Sequence, residues 1–399
     1  MQAPAPVRRS DNSESMLNLL SISNAVRRGS PQRRVNAGIP LDWARLYILL
    51  LLAGLMSVGC RSLPNIPPTL PGARLVPGSE DCRFVVRGDK AVWWGTGTFS
   101  YPEWVKTDPQ SHGVLARAQH REARFGASAT GFEAVWSVEA GYDPSVYKFD
   151  TQVKLPPQKI SLGKSWFSKG TTTHLAVGDH AVWATFNSFD KVFRIDPDTL
   201  TIVATLPVPV PTIVEAGEGA VWVFSRGKFN RKDLVRIDPE TNRITATIPL
   251  EMYPYAIATG GGAVWVASGP RVIRVNPLTN RIEAAFQVGW DQPPADLNSV
   301  VQMVVAKETL WTLVFTQPRV TISQLFSYPD VVGDFALVEI DIKTNAIRTI
   351  RQLGSGEGNG QLLYSHQIFT VIDDDAWVCL PTGLYVIPIT DTGHPESGK

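Results

Sequence analysis

Three side chains of this 399-residue sequence have the types and placement for metal-assisted or acid–base chemistry at a shared site. His174 stands nine residues before Trp183, Glu215 seven before Trp222 and His366 eleven before Trp377. Imidazole and carboxylate together can hold a divalent cation or pass a proton. No His-x-His or similarly tight spacing accompanies them, so the sequence assigns no catalytic residue, metal or cofactor. His174, Glu215 and His366 remain the alternative, a lyase or hydrolase site. A second set suits contact more than catalysis. Trp290-Asp291 lies beside Pro293-Pro294 and Asp296, Tyr253 and Tyr255 bracket Pro254, Trp166-Phe167 lies between Lys164 and Lys169, and Tyr328 precedes Pro329-Asp330. Aromatics mixed with single charges fit a protein, peptide or carbohydrate ligand. The same rings folded back over the ends of a scaffold are an equally good reading.

No P-loop, dinucleotide fingerprint, nucleophile elbow or Cys-x-x-Cys is present. Gly354 to Gly360 is Gly-rich, but no helical pattern follows it, which favours a loop over a phosphate cradle.

The elements that must position these groups come from a repeat. Aligned on an apolar-Trp dipeptide, the chain reads Val92-Trp93, Val135-Trp136, Val182-Trp183, Val221-Trp222, Val264-Trp265, Leu310-Trp311 and Ala376-Trp377. Successive anchors are 43, 47, 39, 43, 46 and 66 residues apart. That is the length of one four-stranded propeller blade. A tight polar turn precedes each anchor, such as Gly217-Glu218-Gly219 or Gly260-Gly261-Gly262, and Arg236-Ile237-Asp238-Pro239 and its counterparts mark a later hairpin. One rigid indole per unit is expected to fill the wedge between neighbouring blades. The expectation is an all-β, seven-bladed β-propeller over residues 81–390, with a tail at 391–399.

The last unit offers three strands, so Ala73 to Val76 is expected to supply the fourth and close the ring. Cys82 and Cys379 would then lie in adjoining blades. The register is only inferred, so two separately buried thiols are favoured and a disulfide is the alternative. Length variation falls in the connections between blades and between second and third strands. These are Lys154–Thr173, Val288–Val300, Gln352–His366, Gly97–Gly113, Ser225–Asp233 and Thr316–Phe335. Both classes emerge on one face, which makes that face the recognition surface.

Residues 1–59 differ from the rest. Seven Arg against Asp11, Glu14 and Asp42 give this leader a net charge of +4, and the total of +1 leaves about −3 for residues 60–399. A near-neutral body lacks the positive field that nucleic-acid binding requires. Leu46 to Val58 is uncharged and too short for a comfortable membrane span, which makes 1–59 a basic leader with a signal or anchor segment: an export signal is favoured, with an uncleaved signal anchor or a buried core helix as the alternatives. Residues 60–80 follow as a Pro-rich tether, with five Pro between Leu63 and Gly78.

Two resemblances rest on these residues. Met56-Ser57-Val58-Gly59-Cys60 resembles the lipobox of bacterial lipoproteins, which implies lipidation at Cys60 and a membrane-anchored protein of the cell envelope. Ala263-Val264-Trp265-Val266-Ala267, with Val235 to Pro239 and Ile244 to Ile248, resembles the YVTN and virginiamycin B lyase-like β-propeller repeats. That second resemblance implies the fold. The lyase members' His and Glu motifs find no residue-by-residue match, so no catalytic position is carried over.

Overall fold

In the computed structural model the described residues are 70–88, 90–98, 101–119, 126–139, 142–151, 156–164, 173–227, 231–288, 298–316, 330–359 and 367–389. They form seven four-stranded antiparallel sheets. Blade 1 is β2 (Phe84–Arg87), β3 (Val92–Thr98), β4 (Tyr101–Thr107) and β5 (Val114–Gln119). Blade 2 is β6 (Ser128–Gly131), β7 (Ala134–Glu139), β8 (Ser145–Asp150) and β9 (Gln158–Ser161). Blade 3 is β10 (Thr173–Gly178), β11 (Ala181–Phe186), β12 (Lys191–Ile195) and β13 (Ile202–Pro207). Blade 4 is β14 (Pro211–Gly217), β15 (Ala220–Ser225), β16 (Asp233–Asp238) and β17 (Arg243–Pro249). Blade 5 is β18 (Ala256–Gly260), β19 (Ala263–Ser268), β20 (Arg271–Asn276) and β21 (Arg281–Gln287). Blade 6 is β22 (Asn298–Ala306), β23 (Thr309–Thr316), β24 (Asp330–Asp341) and β25 (Ile347–Asn359). Blade 7 is β26 (Phe369–Ile372), β27 (Asp375–Leu380), β28 (Gly383–Pro388) and, from the other end of the chain, β1 (Arg74–Leu75).

The first strands meet in a cycle: β2 lies against β6, then β6·β10, β10·β14, β14·β18, β18·β22, β22·β26 and β26·β2. A cycle of this kind is a closed propeller around an axis. Each anchor indole is buried on the second strand of its blade. Trp183 shares a core cluster with Val214 and Val221 of blade 4, Trp222 with Ile257 and Val264 of blade 5, and Trp265 with Val300 and Met303 of blade 6. The indoles are therefore wedges between blades.

A second repeated device was not foreseen. The residue directly opposite the indole on the third strand is Lys106, Lys148, Arg194, Arg236 or Arg274 in blades 1 to 5. Each cation sits 5.3–5.6 Å from the centre of its own blade's indole ring. The same cation then reaches the following blade: Arg194 Nη1 donates to Asn242 Oδ1 at 2.8 Å, Arg274 Nη1 to the Ile342 carbonyl at 2.7 Å, and Lys148 Nζ to the Pro197 carbonyl at 2.8 Å. One side chain thus joins a cation–π contact to an inter-blade hydrogen bond. The indole N–H is held too, since Trp136, Trp183, Trp222 and Trp265 donate to the carbonyls of Gly131, Gly178, Gly217 and Gly260. Glycine is needed there because the next blade's first strand lies against it. A Cβ on Gly217 would meet Thr259 Oγ1 at 2.3 Å, and one on Gly260 would meet Val305 Cβ at 2.7 Å.

The expected hairpin chemistry is present. Asp196, Asp238 and Asp341 each accept two backbone N–H groups from the residues two and three further on, and Asn276 does the same. At the seam β1 pairs with β28, Arg74 opposite Val386 and Leu75 opposite Tyr385. Buried Ser79 locks the segment by donating to the Val76 carbonyl at 2.6 Å and accepting from Leu384 N at 2.9 Å.

Two expectations are corrected. Cys82 and Cys379 are not separate thiols but a disulfide, with Cα atoms 5.5 Å apart. The Ser79 lock sets the register that puts Cys82 beside β27, and pattern alone could not supply it. Several segments expected as loops contain strands. Gly97–Gly113 contains β4, Lys154–Thr173 contains β9, and Gln352–His366 carries β25 as far as Asn359. Their Gly, Pro and Lys content hid strand pairing that only the partner strands enforce.

Candidate functional site

The axis of the ring holds a cavity of about 350 Å³ to which the first strands of all seven blades contribute. Its composition follows from one column of the repeat. The residues paired directly opposite the seven anchor indoles are Val86, Ala129, Ala176, Glu215, Ala258, Val304 and Thr370. All seven line the cavity. Six are small or β-branched, as a narrow axis demands, and one is a carboxylic acid. In the sequence the column lies seven residues before each Trp, so the exception is legible once the repeats are stacked.

Glu215 is half-buried, in view of the lumen but ringed by protein. Burial pushes its carboxyl up to about 8. Two positions earlier along the strand, the column nine before each Trp contains His174 and Gln302. Burial brings the His174 imidazole down to about 4, opposed in part by a hydrogen bond to the backbone of Val214, the residue before Glu215. His174 Nδ1 is buried without a protein partner. At neutral pH both groups are therefore uncharged in the free protein.

Gln302 is committed elsewhere. Its Oε1 accepts from the backbone N–H of Ile368 and Phe369, both at 2.9 Å, and its Nε2 donates to the Phe369 carbonyl at 2.9 Å, which stitches blade 6 to blade 7. Arg87, at the end of β2, is the cationic member of the lining among the described residues.

The structure thus brings His174 and Glu215 to one cavity. Among the described residues no three His, Cys, Asp or Glu side chains converge as metal ligands. His366 lies outside the described residues, as do Trp166, Trp290, Asp291, Tyr328 and Cys60. The two remaining aromatics have different surroundings. Tyr253 packs edge-on to Phe224 at 6.2 Å under the cations of Arg226 and Lys232, 5.2 and 4.6 Å from its ring, so it covers the end of blade 4. Tyr255 is 44% exposed and lines the cavity mouth where the chain enters β18.

The connections are uneven. On the face carrying first-to-second strand turns, those turns have two residues at 218–219, 261–262 and 307–308, and the third-to-fourth strand links run from four residues at 239–242 and 277–280 to seven at 151–157. On the opposite face the links include 226–232, 288–297, 317–329 and 360–368, and β24 and β25 pair beyond the end of β23.

No protein-family model matches the sequence. No curated protein matches it either. Among solved structures it is similar to BamB from Moraxella catarrhalis, at 12% identity and a TM-score of 0.47 over 76% of this chain and 84% of that one. It is also similar to U3-55K, at 11% identity and a TM-score of 0.53 over 80% of this chain and 99% of that one. The likeness is one of fold. At such identities function does not transfer.

Proposed function

We propose that this chain is a non-enzymatic binding or scaffold propeller of the bacterial cell envelope, which recognises a protein, peptide or carbohydrate through the loops of one face. The observation that carries the proposal is the uneven distribution of connections on a ring whose repeated residues are committed to packing. The indoles, glycines and Arg/Lys clamps hold blade to blade, and the longest links gather on one rim. Export and anchoring through Cys60 follow from the lipobox resemblance and the Pro-rich tether. The Cys82–Cys379 bond supports an oxidising compartment.

The test is site-specific photo-crosslinking in envelope preparations, with the probe placed at Tyr255 and Tyr142 on the rim or at Leu278 on the opposite turn. These residues are 44%, 67% and 85% exposed. Adducts from the two rim positions and none from Leu278 are expected. Adducts from Leu278 alone would overturn the assignment.

A further inference from the structure

We propose that the axial cavity, whose mouth Tyr255 shares with the rim, is itself a binding site for a small organic cation carrying a primary ammonium or guanidinium group, with Glu215 as its counter-charge. The argument starts from the column opposite the indoles. Five of its seven members are Ala or Val, which fill a narrow axis at no polar cost. A carboxyl at the same position carries a desolvation penalty that the fold does not need. Perturbed groups of this kind cluster at functional sites.

The surroundings select the ligand. Ala129, Ala176 and Ala258 leave the axis open around Glu215, and the volume of about 350 Å³ suits a small molecule. Among the described residues Glu215 is the only acidic residue in the lining, which also holds Arg87, His174 and Tyr255 as titratable groups. Arg87 sits at the far end of its strand, next to the turn face. His174 Nδ1 is itself buried out of reach of the lumen, so the counter-charge is supplied by Glu215. A divalent metal needs several convergent ligands, and no group of three His, Cys, Asp or Glu is so placed among the described residues. An ammonium or guanidinium needs one counter-charge and neutral acceptors.

Binding is proton-linked. In the free protein the carboxyl holds its proton. An entering cation displaces that proton to solvent and pairs with the carboxylate, so no other reactant is required. Affinity then rises with pH until the free carboxyl is ionised.

The experiment is isothermal titration of the full chain with n-butylamine and n-butylguanidine, with n-butanol and butyrate as controls, in phosphate and in HEPES at pH 6, 7 and 8, and with Zn²⁺ as a further control in HEPES alone. A free-state value of about 8 predicts release of about 0.9 proton per cation bound at pH 7, and an affinity gain of about 50-fold from pH 6 to pH 8. Glu215→Gln keeps the shape of the protonated acid and should remain folded, which circular dichroism verifies, while losing the cation binding and the proton release together. Equal binding of butanol, undiminished binding by a folded Glu215→Gln variant, binding of Zn²⁺ alone, or no binding by wild type would each overturn the proposal.

Discussion

Replacing Glu215 by Gln should make the ring more stable, and increasingly so as the pH rises. The carboxyl sits at about 8 in the folded chain against a reference of 4.5. Between those values the folded state holds a proton that the unfolded state has released. Stability therefore falls as pH rises from about 5 to 8 and levels off above that. The full shift corresponds to about 1.4 kcal/mol per pH unit. Because the group faces a lumen that water can enter, we halve that figure and expect the variant to gain about 1–2 kcal/mol on wild type between pH 5 and pH 8. Urea unfolding at pH 5, 6, 7 and 8, with the disulfide intact, measures the difference directly. Comparing variant with wild type also cancels His174, whose lowered value makes the fold lose stability as pH falls below 6.5 toward about 4. Parallel curves for the two proteins, or a wild type that gains on the variant as pH rises, would refute the reasoning.

Three further outcomes follow from the packing. Arg236→Ala removes the contact with Trp222 and the bond to Asn280 and should cost about 1–3 kcal/mol in urea unfolding. Arg236→Lys should cost less than half of that, because Lys fills the equivalent place in blades 1 and 2; equal losses would contradict the clamp. Gly260→Ala forces a Cβ to within 2.7 Å of Val305 and should lower stability by about 1–3 kcal/mol, an effect that Val305→Ala in the same chain should partly relieve. Reduction of Cys82–Cys379 opens a loop spanning 297 residues and should cost up to about 5 kcal/mol. Alkylation of both thiols in native, unreduced protein would show that the bond is absent.

Much of this architecture is legible in the sequence, because one short phrase repeats. The apolar-Trp dipeptides place the second strand of each blade, and turns such as Asp196-Pro197, Asp238-Pro239 and Asn276-Pro277 place the third and fourth strands of theirs. Both depend on local propensity and turn chemistry. What escaped depends on partners distant in the chain. The role of Arg194, Arg236 and Arg274 appears only when the following blade is in place to accept their hydrogen bonds. The disulfide needed the Ser79 register, and β9 and the end of β25 needed a neighbouring strand to override their composition. The site was half visible. Glu215 stood out as a carboxylate, but its singularity emerges only from comparing it with Val86, Ala129, Ala176, Ala258, Val304 and Thr370, all in the same place in their repeats.

The division between a packed ring and a single variable face can be tested with two chimeras. In one, the links 227–231 and 317–329 are replaced by Gly/Ser sequence of the same length, which leaves Arg226 and Lys232 over Tyr253; in the other, the turns 218–219, 261–262 and 307–308 are exchanged for unrelated turn sequences. Each chimera is measured for its melting temperature and its capture of envelope components beside wild type. The account predicts unchanged melting for the first chimera with capture abolished, and full capture by the second. Capture retained by the first chimera and lost by a folded second would contradict it.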